Sequence, residues 1–192
     1  MKYFLAILII LIAVAILLFT NKSKNDNVKE PVSQNTGTKE SLKSNMKIIS
    51  PVFENNQSIP KKYSCDGENV NPPLQFVDIP QNAKSLVLIV DDPDAPNGTF
   101  DHWVVFNIDP QAIEVKENSI PDNGVVGKSS TGSSKWVSPC PPSGTHRYFF
   151  KLYALDAILD ISQNSNKEAV LDAMKEHVIA QSELIGLYSR RK

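Results

Sequence analysis

Four stretches beyond the N-terminal region are mostly apolar and bounded by Pro, Gly and Asp: Met46 to Ile49, Ser85 to Val90, Trp103 to Ile108 and Arg147 to Leu155. Short β-branched or aromatic runs with such boundaries read as strands. Their continuity, with little polar alternation, predicts burial on both faces. The run from Arg147 is rich in aromatics, with Tyr148, Phe149, Phe150 and Tyr153. One helix is signalled near the C-terminus. Ser165 or Asn166 caps it, Glu168 lies in its first turn, and Val170, Met174, His177, Val178 and Gln181 fall on or near one stripe. Leu184 to Tyr188 then reads as a closing strand or a helix end, with Gly186 as a break. Several strands and one late helix predict a mostly β domain of two packed sheets.

The N-terminal pattern is different. Tyr3 to Phe19 is 17 residues without a charge, behind Met1 and Lys2. As a helix it spans roughly 25 Å, the short end of what crosses a bilayer core. No small-x-small cleavage pattern follows it, and no Cys stands after it to take a lipid. The pattern therefore favours an uncleaved anchor over 1–19, with a removed signal and secretion as the alternative. Residues 20–45 hold only Val28, Val32 and Leu42 as aliphatics, too few to offset ordering entropy, and read as a disordered linker. The lysines on both sides of the apolar run leave its orientation open. A two-residue tail in front of it argues that the domain, 46–192, lies outside the cytoplasm.

Charge divides along the same boundary. Residues 1–45 carry six Lys against three Asp or Glu, a net of +3, and residues 46–192 carry 14 Lys or Arg against 18 Asp or Glu, a net of −4. A domain at −4 has no cationic excess to track a phosphate backbone, which argues against nucleic acid. Two Cys are too few for a disulfide scaffold, so the apolar core must hold the domain.

Reactive side chains concentrate in three segments at strand ends: Asp91 to Pro96, Asp101 to Trp103, and Pro139 to Tyr148. Asp92-Pro93-Asp94-Ala95-Pro96 holds more Pro and Asp than a turn needs, and two prolines fix the direction of two carboxylates. His102 and His146 each stand before an apolar strand beside a Pro-bearing loop. Pro141 and Pro142 lack amide hydrogens and make a rigid apolar rim, with Gly144 supplying a bend. His177, in the helix, reads as a surface residue. Several catalytic patterns fail on spacing. Gly124 to Ser129 has two residues between its glycines where a phosphate loop needs four. Neither Gly-x-Ser-x-Gly nor His-Glu-x-x-His occurs. Cys140 with His146 is a conceivable nucleophile and base, but three flanking prolines leave no helix N-terminus to activate the thiol.

Taken together, Tyr63 to Gly67 with Asn71 to Leu74, Asp92 to Pro96, His102 to Asn107 and Cys140 to Tyr148 with Phe149 to Asp156 resemble the phosphatidylethanolamine-binding protein family, also called Raf kinase inhibitor-like, in its bacterial and archaeal branch. The resemblance spans 46 to about 190. It implies two antiparallel sheets in a Greek-key-like sandwich and a small anion-binding cavity. Asp92, Asp94, His102, His146 and Tyr148 would line that cavity, walled by Pro96, Pro141 and Pro142. The sequence departs from the pattern at Ser138 and Cys140, where relatives often have Gly. Their side chains are expected to narrow the mouth.

The leading expectation is a non-enzymatic binding or regulatory domain without a cofactor. Its ligand would be a phosphorylated or zwitterionic small molecule, or a phospholipid head group, with a protease or kinase as a protein partner it would inhibit. The alternative is a hydrolase using the Asp and His groups with a metal or as acid and base. Cys65 and Cys140 form the one intramolecular pair available. An exported domain favours a bridge between them, and the sequence leaves open whether their Cα atoms come within range.

Overall fold

The aliphatic run beginning at Ser85 forms the strand around which the domain is built. In the computed structural model, which describes residues 45–190, nine strands, one helix and a short 3-10 turn follow in order. The strands are β1 (Lys47–Ile49), β2 (Gln57–Ser58), β3 (Leu74–Val77), β4 (Ser85–Asp92), β5 (Phe100–Ile108), β6 (Glu114–Val115), β7 (Val125–Val126), β8 (Thr145–Leu155) and β9 (Val178–Ser189); helix α1 (Lys167–Met174) precedes β9, and the 3-10 turn is Lys61–Tyr63. A three-stranded sheet, β1-β3-β6, packs on a six-stranded sheet ordered β2-β9-β8-β4-β5-β7. The domain is thus mostly β, with two sheets and one helix.

Every residue of β4 is buried, and the two faces are covered by different partners. Leu86, Leu88 and Val90 join a cluster with Ile48, Leu74, Phe76 and Val115 of the small sheet. Val87 and Ile89 join Leu155, Leu159 and, from the helix, Val170 and Met174. Strands covered on both faces lose polar alternation, which is why β4 and β5 read as continuous apolar runs. β1 and β8 depart from the expected two-sided burial, because buried positions alternate with half-buried or exposed ones along them.

Three expectations need correction. The large sheet is not purely antiparallel, because β2 runs parallel to β9, with Gln57 opposite Gly186. Gly186 does not break the strand. It pairs with Tyr148 inside β9, and a Cβ there would stand 2.5 Å from the Ile59 side chain, so glycine lets the neighbouring chain approach. The helix is also shorter than its stripe suggested. Asn166 caps it, accepting from the Ala169 amide at 3.1 Å, but it ends at Met174. A turn closed by His177 N–H to Met174 O at 2.9 Å leads into β9, and Val178 and Gln181 pair with Leu155 and Tyr153 of β8. Strand pairing along eleven residues of β8 outweighs the helical periodicity. The expected anchor over 1–19, and all of the expected linker but residue 45, lie outside the described residues. Among the described residues no helix is long and apolar enough to cross a membrane.

Candidate ligand-binding cavity

β4 and β5 pair Val90 with Trp103 and then Asp91 with Asp101, so His102 has no partner across the ladder. The extra residue is a β-bulge, which kinks its strand and re-aims a side chain. Strict alternation would put His102 on the helix side of the sheet with Val104. The bulge instead gives Asp101 to that side, where it meets Lys167, and turns His102 to the side of Trp103 and Tyr148. The His102 and Tyr148 rings meet edge-on with centroids 5.2 Å apart, and Phe100 lies 4.8 Å from His102 on its other flank.

A cavity of about 170 Å³ opens there. Asp92 from the end of β4, Phe100 and His102 from β5, and His146 and Tyr148 from β8 form its body. Ala95, Pro96, Val137, Ser138, Cys140 and Pro142 form its walls. The rim is tied twice to the turn after Tyr63. Cys65 and Cys140 are joined by a disulfide with Cα atoms 5.4 Å apart, and the Cys65 amide donates to Pro139 O at 3.1 Å.

The polar groups inside have definite roles. His102 Nδ1–H donates to Val137 O at 2.7 Å, while the Val137 amide donates back to His102 O at 3.0 Å. That bond directs the Nε2 lone pair away from the wall, and Nε2 is buried without a partner. Burial pushes the His102 imidazole below its ordinary value, against the opposing pull of the Val137 carbonyl and of Asp92. His102 is therefore neutral near pH 7 and offers an acceptor. The Tyr148 hydroxyl is likewise buried and unpartnered. Burial, with help from Asp92, raises its phenol far above the usual range, so it stays protonated and can donate. Asp92 is already engaged, accepting from His146 Nδ1 at 2.7 Å and from the Asp94 amide at 2.8 Å.

Of the eight residues expected at the site, the structure brings six together: Asp92, Pro96, His102, Pro142, His146 and Tyr148. Asp94 and Pro141 do not line the cavity. Arg147 clasps Asp94, with Nε at 2.9 Å, Nη2 at 2.7 Å and the backbone amide at 2.9 Å. Those bonds hold the Asp94 carboxyl down at about 2. Asp94 thus fastens the Asp-Pro loop to β8, and only one carboxylate, itself paired with His146, faces the ligand space. Pro141 is buried behind the rim. Phe100, Ala95 and Val137 went unnoticed because single apolar residues beside a loop carry no signal. Ser138 and Cys140, expected to narrow the mouth, both line it. Larger depressions exist, one of about 640 Å³ beside Asp66 and Tyr188, but there the Tyr188 hydroxyl already donates to Asp66 at 2.8 Å.

The sequence model of the phosphatidylethanolamine-binding protein family matches residues 49–189. The chain belongs to this family. A Methanothermobacter thermautotrophicus protein described as a UPF0098 protein is 48% identical over 150 residues, covering 76% of this chain and 99% of that one. The crystal structure of a phosphatidylethanolamine-binding protein homolog from Chlamydia trachomatis superposes with a TM-score of 0.74 at 42% identity, covering 76% of this chain and 98% of that one. An Escherichia coli protein described as a member of the mammalian family superposes with a TM-score of 0.71 at 25% identity, over 76% of this chain and 99% of its own.

Proposed function

We propose that the domain is a non-enzymatic binding module that takes a phosphoryl-type anion, free or as a phospholipid head group, into the His102–Tyr148 cavity. The observation that carries this reading is the pair of buried, unpartnered polar atoms, His102 Nε2 and Tyr148 Oη, in one small cavity. Leaving such groups unpaired costs roughly 1–3 kcal/mol each, a cost a ligand with matching groups removes. Small-molecule pockets usually run about 300–1,000 Å³, so a cavity of about 170 Å³ suits a head group and leaves acyl chains outside. Cys140 is held in the disulfide, which removes it as a nucleophile. The apolar rim formed by Pro96 and Pro142 supports a protein partner seated over the occupied cavity.

Proton linkage provides a test. Without ligand, burial holds His102 neutral, with its pKa below the ordinary value. A bound anion favours imidazolium and raises it. Between the two values binding takes up a proton, so affinity for inorganic phosphate rises as pH falls through the bound-state value and levels off below the free-state value. Calorimetry in buffers of different ionisation enthalpy, corrected for phosphate's own titration, should show uptake near pH 7. An enthalpy independent of buffer, with affinity flat between pH 8 and 6, speaks against the site.

We further propose that the domain lies outside the cytoplasm, carried by the apolar segment over 1–19. The disulfide supports this reading, since such bonds persist mainly in oxidising compartments.

A further inference from the structure

We propose that Lys167, on the opposite side of the sheet from the cavity, is a positioning residue: its ion pairs with Asp101 and Asp91 hold the β5 bulge that turns His102 toward the ligand. The proposal rests on the cavity being the binding site, and deepens that reading.

The charges behind the cavity are unusual for a sheet interior. Asp91 and Asp101 are directly paired across β4 and β5 and both are buried. Like charges placed opposite each other push strands apart. Two ammonium groups from other elements balance them. Lys151 of β8 reaches both oxygens of Asp91 at 2.9 Å. Lys167, the first residue of α1, reaches Asp91 at 3.5 Å and bonds Asp101. The cluster thus holds two carboxylates and two ammoniums. Lys167 is the member that bridges the strands, and its side chain is mostly buried.

Asp101 and Asp91 each adjoin a cavity residue, His102 and Asp92. At the bulge the backbone of Asp101 is also tied to the loop: its amide donates to Ser130 Oγ at 2.8 Å, and its carbonyl accepts from the Ser130 amide at 3.0 Å. The side-chain bond to Lys167 sets which way Asp101 points, and the bulge makes His102 point the other way. Without Lys167, an uncompensated carboxylate at Asp101 faces Asp91. The strand can relieve this by slipping the bulge, which returns His102 to the helix side and breaks its bond to Val137.

The test uses Lys167→Met and Lys167→Met/Asp101→Asn in the full chain. The double change leaves Asp91 with Lys151, one charge of each sign, so the cluster is again balanced. The first readout is the ring-nitrogen spectrum of His102 without ligand, assignable because the chain has only three His. The wild type should show a protonated Nδ1 and an unprotonated Nε2. Lys167→Met should lose that single tautomer, and the double variant should regain it. The second readout is affinity for inorganic phosphate, expected to fall at least about tenfold in Lys167→Met, as small misplacements of a site group do, and to recover in the double variant. Should Lys167→Met fail to fold, Lys167→Gln, which keeps an N–H donor, is judged by the same criteria. Wild-type His102 signals in the single variant, or no recovery in the double variant, overturn the proposal. A wild type that binds no phosphate overturns the cavity reading instead, and the ring spectrum still decides the role of Lys167.

Discussion

Replacing Cys65 and Cys140 together by Ser is expected to destabilise the domain by about 4 kcal/mol. The bridge closes a loop of 75 residues, and on chain-entropy grounds a loop of that length restricts the unfolded chain by roughly that amount. The local structure adds reasons to expect a large effect. The loop encloses β3 to β7, so the crosslink spans both sheets. Beside the bridge, the two loops are joined by the backbone bond from Cys65 N–H to Pro139 O. Urea unfolding of the wild type and the double Ser variant checks this. A loss below about 1 kcal/mol would mean that the rim is held by packing alone. Reduction should act in the same direction, and should weaken phosphate binding more than a remote destabilisation would, because Cys140 is itself part of the cavity wall.

The second large effect concerns His102→Ala. The ring makes the hydrogen bond to Val137 O, packs between Phe100 and Tyr148, and offers the unpartnered Nε2. Removing it deletes a charge-assisted contact to the bound anion, worth about 1.5–3 kcal/mol, or roughly ten- to 150-fold in affinity. It also leaves the Val137 carbonyl without its partner, so a modest stability loss should accompany it. His102→Gln separates the two effects. Its amide can still donate to Val137 O, and stability should return while the proton-linked part of binding does not. Phosphate titrations of both variants check this; affinity unchanged in His102→Ala removes His102 from the site.

Much of this architecture could be read from the residues, for identifiable reasons. The runs at Ser85 and Trp103 are strands buried on two sides, and burial on two sides writes itself into sequence as near-unbroken hydrophobicity. The run at Arg147 stands out by its aromatics, although its burial alternates along the strand. The loops around Asp92, His102 and His146 stand out because Pro, Asp and His together exceed what turns require. Gln57–Ser58, Glu114–Val115 and Val125–Val126 are strands of two residues each, too short to show any period. The helix end escaped detection because Val178 continues the stripe of Val170 and Met174 until strand pairing with β8 overrides it. The bulge at His102 is invisible for a deeper reason: one extra residue shifts the register without changing composition. For the same reason Asp94 looked like a ligand group, since nothing local to it reveals that Arg147 arrives from another strand.

The most direct test of the cavity is Tyr148→Phe. The change removes one oxygen and keeps the ring that packs against His102. Deleting a buried hydroxyl with no partner should leave stability unchanged or raise it. Deleting a group that waits for a ligand should weaken binding. Phosphate affinity and urea unfolding, measured on the same preparation, should therefore move apart: affinity down about tenfold or more, the unfolding midpoint the same or higher. Undiminished phosphate affinity, or a variant that is clearly less stable, would contradict the assignment of this cavity as the binding site.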